Sequence, residues 1–176
     1  FLFNTLNSIN RTVMLGRREQ ALTMLDSLSV LLRYNLADAQ MPALLGEELG
    51  ITEEYLKIQK MRFSSRLNVD VRHDRKLEQA VMLPRFTLQP LVENAVIHGL
   101  EPKEEGGTLI LDVRKTGNYI RIRICDNGMG IEKERLERIR RRLSEKQPER
   151  IGVWNIWQRL SLYTGRDDSL KIMSKK

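Results

Sequence analysis

Two short motifs bring together side chains able to hold a metal–nucleotide complex. The first is Leu91-Val92-Glu93-Asn94-Ala95-Val96-Ile97-His98-Gly99; about thirty residues later comes Asp126-Asn127-Gly128-Met129-Gly130. An amide oxygen such as that of Asn94 can ligate Mg²⁺, which takes oxygen ligands in octahedral geometry and keeps several waters. A carboxylate such as Asp126 can accept the exocyclic amine of adenine, where guanine offers an oxygen. Gly128 and Gly130 let the backbone turn tightly and run close to a base. Asn94 lies among Leu91, Val92, Ala95 and Val96, and an amide buried in such company needs a partner. In this order and at this separation, the two motifs predict an ATP site. Asn94 would hold Mg²⁺, Asp126 would read adenine, and Asn127, Gly128 and Gly130 would form the loop beneath the base. Ile131 would close the apolar side of that pocket.

Each half has a plainer explanation when taken alone. Most single asparagines on helices are surface or internally bonded residues, and Asp-Asn-Gly is favoured in ordinary turns. Two roles are open to Glu93: orienting metal-bound water, or facing solvent. His98 follows Asn94 by one turn on the same helix face, where it either meets the triphosphate or serves as a structural histidine. Gly152 and Asn155 open a later helix, whose first backbone amides could stabilise a phosphate anion. The polar stretch from Glu132 to Arg150 fits a lid, with Arg138, Arg140, Arg141 and Arg142 equally available to neutralise phosphate. Trp154 and Trp157 read as core or lid anchors rather than base-stacking groups.

These residues need elements to position them. Leu2, Leu6, Ile9 and Val13 line one face of a helix, Gly16 and Arg17-Arg18-Glu19 interrupt it, and Leu22, Leu25, Leu28, Leu32 and Leu36 mark a second stripe. Residues 1–38 therefore read as a helical hairpin. Two helices cannot bury both stripes on each other, and a second copy completing a four-helix bundle would, so a homodimer is expected. A break follows at Ala37 to Pro42, then an amphipathic helix from Leu44 to Met61, then a strand in which Leu67, Val69 and Val71 alternate with polar residues. Pro84 is expected to open the helix carrying Asn94, with Gly99 and Pro102 closing it. Thr108 to Arg114 and Tyr119 to Cys125 form two strands joined at Thr116-Gly117-Asn118, an antiparallel hairpin. A polar helix from Glu132 to Gln147 ends near Pro148, another runs from Gly152 to Tyr163 with Gly165 as its stop, and Leu170-Lys171-Ile172 begins a strand. The fold class is α+β: a helical hairpin over residues 1–42, then an α/β sandwich over 43–176 with helices on one face of a mixed sheet.

Bulk properties narrow the field. With 41% hydrophobic and 30% charged residues among 176, the chain is neither disordered nor fibrous. No apolar run approaches the roughly 18 residues needed to cross a bilayer. Phe1-Leu2-Phe3-Asn4 reads as a helix interior without cap or initiator Met, which predicts a piece of a longer chain. The formal charge of +7 invites a nucleic-acid partner, but its densest patch, Arg138 to Arg142, is interleaved with Glu132, Glu134, Glu137 and Glu145; a solvated helix face accounts for it, and no nucleic acid is expected. Cys125 is the one cysteine, so no internal disulfide can form. Its place at the end of an apolar strand predicts a small buried side chain.

Four stretches closely resemble the LytS/YesM-type sensor histidine kinases: Phe1-Leu2-Phe3-Asn4-Thr5-Leu6-Asn7, Leu88-Gln89-Pro90-Leu91-Val92-Glu93-Asn94-Ala95, Asp126-Asn127-Gly128-Met129-Gly130 and Gly152-Val153-Trp154-Asn155-Ile156-Trp157-Gln158-Arg159-Leu160. Tyr55-Leu56-Lys57-Ile58-Gln59-Lys60-Met61-Arg62-Phe63 is similar to that family's linking helix. The resemblance implies a Bergerat-type domain binding ATP and Mg²⁺ through Asn94, Asp126, Gly128, Gly130, Gly152 and Asn155. It further implies transfer of the γ-phosphoryl group to a histidine one position before Phe1, outside this chain, with Asn4 and Thr5 beside it. The remaining implications are a homodimer, relay to a response-regulator aspartate, and the cytoplasmic portion of a bacterial plasma-membrane sensor. Two departures stand out. Arg150-Ile151-Gly152 lacks the first glycine of the family's second glycine-rich box, which leaves a catalytically impaired nucleotide-sensing dimer as the alternative. Pro90 occupies the position at which ATP-hydrolysing relatives carry a glutamate, so no base is poised to activate water.

Overall fold

The computed structural model describes residues 1–36, 41–146 and 152–175. Helices α1 (Leu2–Met14) and α2 (Arg18–Asn35) form the expected hairpin. The reversal is a Schellman turn: Gly16 takes φ +70°, its N–H donates to the Val13 carbonyl, and the Arg17 N–H donates to the Thr12 carbonyl. Glycine adopts that left-handed conformation without a Cβ penalty. The hairpin is not self-contained. Ile9, Ala21, Met24, Leu28 and Leu31 share one buried cluster with Tyr55, Leu56 and Ile58 of α3 (Leu45–Phe63) and with Val92 and Val96.

The rest of the two apolar stripes stays in solvent. Leu2, Leu6 and Val13 of α1, and Leu22, Leu25 and Leu32 of α2, are all exposed, as is Leu36 just beyond. Ile9 and Leu28, which the sequence places on those stripes, belong to the inner face instead.

Strand β2 (Leu67–His73) pairs in parallel with β4 (Gly107–Thr116), which pairs antiparallel with β5 (Tyr119–Asp126) across the two-residue turn Gly117-Asn118. Alternation along β4 turns Leu109, Leu111 and Val113 inward, all buried, under Val71, Ile122 and Ile124. Burying such a side chain stabilises the fold by about 1.5–3 kcal/mol each. The sheet is therefore mixed, with helices on its inner face. The parallel connection runs through the short α4 (Arg75–Glu78), strand β3 (Met82–Pro84) and α5 (Leu88–Asn94); β3 pairs antiparallel with β1 (Pro42–Leu44). Helices α6 (Lys133–Ser144) and α7 (Gly152–Thr164) complete the described residues, and Gly165 stops α7 at φ +68°.

Several expectations are corrected. Pro84 ends β3 and does not open the helix of Asn94, which starts at Leu88; Phe86, between them, holds φ +60°, which is incompatible with a continuous helix. Cys125 is exposed, not buried. It alternates with Ile122 and Ile124 along β5 and so points to the outer face, opposite Ile110. Leu170 to Ile172 forms no strand; the Ile172 carbonyl instead accepts from Arg140. The two short strands β1 and β3 were not expected at all, because three-residue strands carry too little alternation to register. Pro148, Arg150 and Ile151 lie outside the described residues, as do Ala37 to Gln40.

Candidate functional site

Asn94 and Asp126 lie on elements that meet at Gly99. Helix α5 ends at Asn94 and continues as a π-helical turn over Ala95–Leu100, a widening that frequently marks functional sites. Asp126 ends β5 directly beneath that turn. A Cβ built on Gly99 would lie 2.5 Å from Asp126 Oδ1, and one built on Gly128 would lie 2.1 Å from the Gly99 carbonyl oxygen. Both glycines are thus required by close approach rather than by turn geometry. Hydrogen bonds close the junction: the Met129 N–H donates to the Gly99 carbonyl at 2.9 Å, and the Gly128 N–H to Asp126 Oδ1 at 2.9 Å. Asn127 faces away from the junction, its side-chain oxygen accepting from the Thr108 N–H at 2.7 Å and its carbonyl from Lys103 Nζ at 3.1 Å. Gly130 holds φ +69°.

Asp126 is exposed, and with Oδ1 engaged by the Gly128 N–H, its second oxygen remains available as an acceptor. Asn94 is half-buried, and among the described residues it has no side-chain hydrogen-bond partner. A half-buried amide without a partner, at the end of a helix whose π turn packs over an acceptor carboxylate at Gly99, suits a Mg²⁺–adenine nucleotide. Among the described residues no group of three or more His, Cys, Asp or Glu could hold a metal, so the ion would depend on Asn94 plus phosphate oxygens and water, as Mg²⁺ sites commonly do.

The other expected residues are placed as follows. Glu93 is half-buried, and burial raises its carboxyl above the ordinary value. His98 sits in the π turn with its side chain exposed. Ile131 is half-buried and its N–H donates to Ser174 Oγ at 2.8 Å. Gly152 is the first residue of α7 and Asn155 is exposed one turn on. Trp154 and Trp157 are buried, their rings 4.8 Å apart, as core anchors. Of the arginines of α6, Arg140 is committed to the Ile172 carbonyl through Nε and a terminal nitrogen, whereas Arg138 and Arg141 line a shallow surface depression with Glu134 and Glu137.

Sequence reasoning missed a buried polar cluster at the start of α5. Glu48 of α3 is 1% exposed. Its Oε1 accepts the Phe86 N–H at 2.7 Å, and its Oε2 accepts the N–H groups of Thr87 and Leu88, each at 2.9 Å. Those are donors a helix start leaves open; Pro90, in the first turn, adds no N–H to satisfy. Thr87 turns its own hydroxyl to the Pro84 carbonyl at 2.6 Å, so the cap comes from another helix. Arg159 of α7 donates to the carbonyls of Arg85 and Phe86 at 2.8 and 2.9 Å. Burial lowers the Arg159 guanidinium from its ordinary value, and the Glu48 carboxylate works against that. A left-handed non-glycine residue costs roughly 1–3 kcal/mol and persists only where its surroundings hold it; at Phe86 they do so from both sides. The available signal was phase: Glu48 falls with Leu45, Thr52 and Tyr55 on the buried face of α3.

Comparison with known proteins agrees with this geometry. Residues 1–67 match the family model described as histidine kinase, and residues 81–166 the one described as histidine kinase-, DNA gyrase B-, and HSP90-like ATPase. The sensor histidine kinase YesM of Bacillus subtilis is 34% identical over 99% of this chain and 29% of its own length. The sensor protein LytS of Oceanobacillus iheyensis is 34% identical over 99% of this chain and 30% of its own. The sensor histidine kinase BtsS of Escherichia coli K12 is 39% identical over 72% of this chain and 22% of its own. The chain therefore spans less than a third of these relatives. With both family models matched in order and the ATPase match enclosing the Gly99–Asp126 junction, the chain belongs to the LytS/YesM-type sensor histidine kinases.

Proposed function

We propose that this chain is the catalytic core of a cytoplasmic sensor-kinase portion that binds Mg²⁺–ATP and passes the γ-phosphoryl group to a histidine just upstream of Phe1. The observation that carries the reading is the fit of Gly99, Asp126 and Gly128: the bare Cα of Gly99 leaves room for the Asp126 carboxylate, and that of Gly128 leaves room for the Gly99 backbone. In this reading Asp126 takes the adenine amine, the loop to Ile131 supports the base, and Asn94 holds the metal. The first amides of α7, from Gly152, face phosphate together with Arg138 or Arg141 of the lid. Mg²⁺ supplies charge neutralisation across the phosphates, and phosphoryl transfer depends chiefly on such positioning.

The acceptor imidazole attacks the γ-phosphorus with an unprotonated nitrogen, the bond to the β,γ-bridging oxygen breaks, and ADP leaves; the phosphoryl group then passes to a receiver-domain aspartate. Support for the acceptor's place comes from Phe1, whose ring lies tilted against that of Tyr55 at 5.3 Å and packs on the buried cluster to which Val92 and Val96 belong. The start of α1 therefore borders the same cluster as α5. Support for a homodimer comes from the exposed leucines of α1 and α2, an apolar surface of the kind that marks interaction sites. Among the described residues no helix is long and apolar enough to cross a membrane.

The test is incubation of the chain, extended upstream by a few turns, with γ-labelled ATP and Mg²⁺. Acid-labile, base-stable label is the expected result. Absence of label with intact ATP binding would select the nucleotide-sensing dimer instead and make Arg150 the first residue to change.

A further inference from the structure

The cluster around Glu48 of α3 brings together residues of four helices, α2, α3, α5 and α7. The Tyr34 hydroxyl, in the last turn of α2, donates to Glu48 Oε1 at 2.5 Å. The Tyr34 ring meets the Phe86 ring edge-on at 5.2 Å and lies under the Arg85 guanidinium at 4.8 Å. Glu48 in turn caps the first turn of α5 through the N–H groups of Phe86, Thr87 and Leu88, while Arg159 of α7 holds the carbonyls of the same loop. Helix α5 starts at Leu88 and ends at Asn94, so the loop leads directly into the helix that carries Asn94, while Arg159 ties the same loop to the body of α7. Burial and the neighbouring Glu48 carboxylate raise the Tyr34 phenol well above its ordinary range, so at neutral pH the hydroxyl remains a donor.

We propose that Tyr34 is a positioning residue for the nucleotide site: through Glu48 it fixes the first turn of α5, so that the placement of helix α2 sets nucleotide affinity. The inference rests on the reading of Asn94 and Asp126 as nucleotide ligands. The strained Phe86 is why the joint matters. A loop held against its own backbone preference from both sides changes conformation when one restraint is withdrawn, and α5 starts two residues later. Withdrawal needs only a displacement of the α2 C-terminal turn, which carries the hydroxyl and none of the loop.

The test compares two variants that each remove one hydroxyl from α2. Tyr34→Phe keeps the ring against Phe86 and Arg85 and deletes the bond to Glu48. Ser27→Ala deletes the bond from Ser27 Oγ to Glu54 Oε2, 2.6 Å long and also between α2 and α3, which does not touch the loop. Amide hydrogen exchange at Phe86, Thr87 and Leu88 and Mg²⁺–ATP affinity by calorimetry are measured in both, with thermal unfolding confirming the fold. Tyr34→Phe is expected to speed exchange at those three amides about tenfold and to weaken ATP binding several-fold, while Ser27→Ala does neither. Unchanged exchange in Tyr34→Phe, or equal effects in the two variants, overturns the joint. Faster exchange with unchanged affinity overturns its part in nucleotide binding. Failure of the unaltered chain to bind Mg²⁺–ATP sinks the nucleotide reading, and the positioning role with it, while the exchange measurement still decides whether Tyr34 holds α5.

Discussion

Gly99 and Asp126 approach so closely that a single methyl group on the glycine would stand 2.5 Å from the carboxylate oxygen. The atom met is the end of a side chain, which can swing aside. Gly99→Ala is therefore expected to leave the thermal midpoint nearly unchanged, alanine in a helix regaining up to about 1 kcal/mol over glycine, while displaced Asp126 costs at least about tenfold in ATP affinity, roughly 1.4 kcal/mol. Gly128→Ala behaves in the opposite way. Its new Cβ meets the Gly99 backbone oxygen at 2.1 Å, which cannot swing aside, and overpacking of that kind costs about 1–3 kcal/mol of stability. Calorimetry with thermal denaturation separates the two; equal loss of stability in both would contradict the geometry.

Asp126→Asn should abolish ATP binding with the fold intact. The Gly128 N–H needs an acceptor from residue 126, so the amide oxygen takes that place and the amide nitrogen is turned outward. Two NH₂ groups would then face each other where adenine should donate to an oxygen. Undiminished affinity by calorimetry removes Asp126 from the site.

Much of this arrangement was legible in the sequence because it is carried by local pattern. Heptad-like leucines gave the hairpin, alternation gave β2, β4 and β5, and Gly117-Asn118 gave the turn between the last two. The Asp-Asn-Gly turn was readable because those residues favour turns for local reasons. What escaped depends on contacts far apart in sequence. The capping of α5 by Glu48 spans about forty residues, and nothing near Pro84 signals that Phe86 will turn left-handed. Cys125 was misplaced for a related reason: strand alternation gives two faces, but only the neighbouring layer decides which is inside.

The exposed leucines of α2 separate association from folding. Leu32 is 44% exposed and Leu28, on the inner face, 4%. Leu32→Glu is expected to convert a dimer to a monomer by analytical ultracentrifugation while changing monomer stability by no more than about 0.5 kcal/mol, as surface substitutions do. Leu28→Ala should instead cost about 2–5 kcal/mol through cavity formation. A Leu32→Glu chain that still sediments as a dimer would place the interface elsewhere.

Glu93 gives the chain a pH dependence of definite sign. Burial raises its carboxyl above 4.5. A carboxyl with a raised folded-state value binds its proton more tightly in the native chain than in the unfolded one. Its contribution to stability is therefore complete below about pH 4.5 and is lost as pH rises through the folded-state value. Glu93→Gln has no proton to lose. The stability difference between variant and parent, from urea unfolding at a series of pH values, should grow in the variant's favour as pH rises from 4.5 and then level off. A difference that instead shrinks as pH rises would mean that the Glu93 carboxylate is held by an attractive partner in the folded chain.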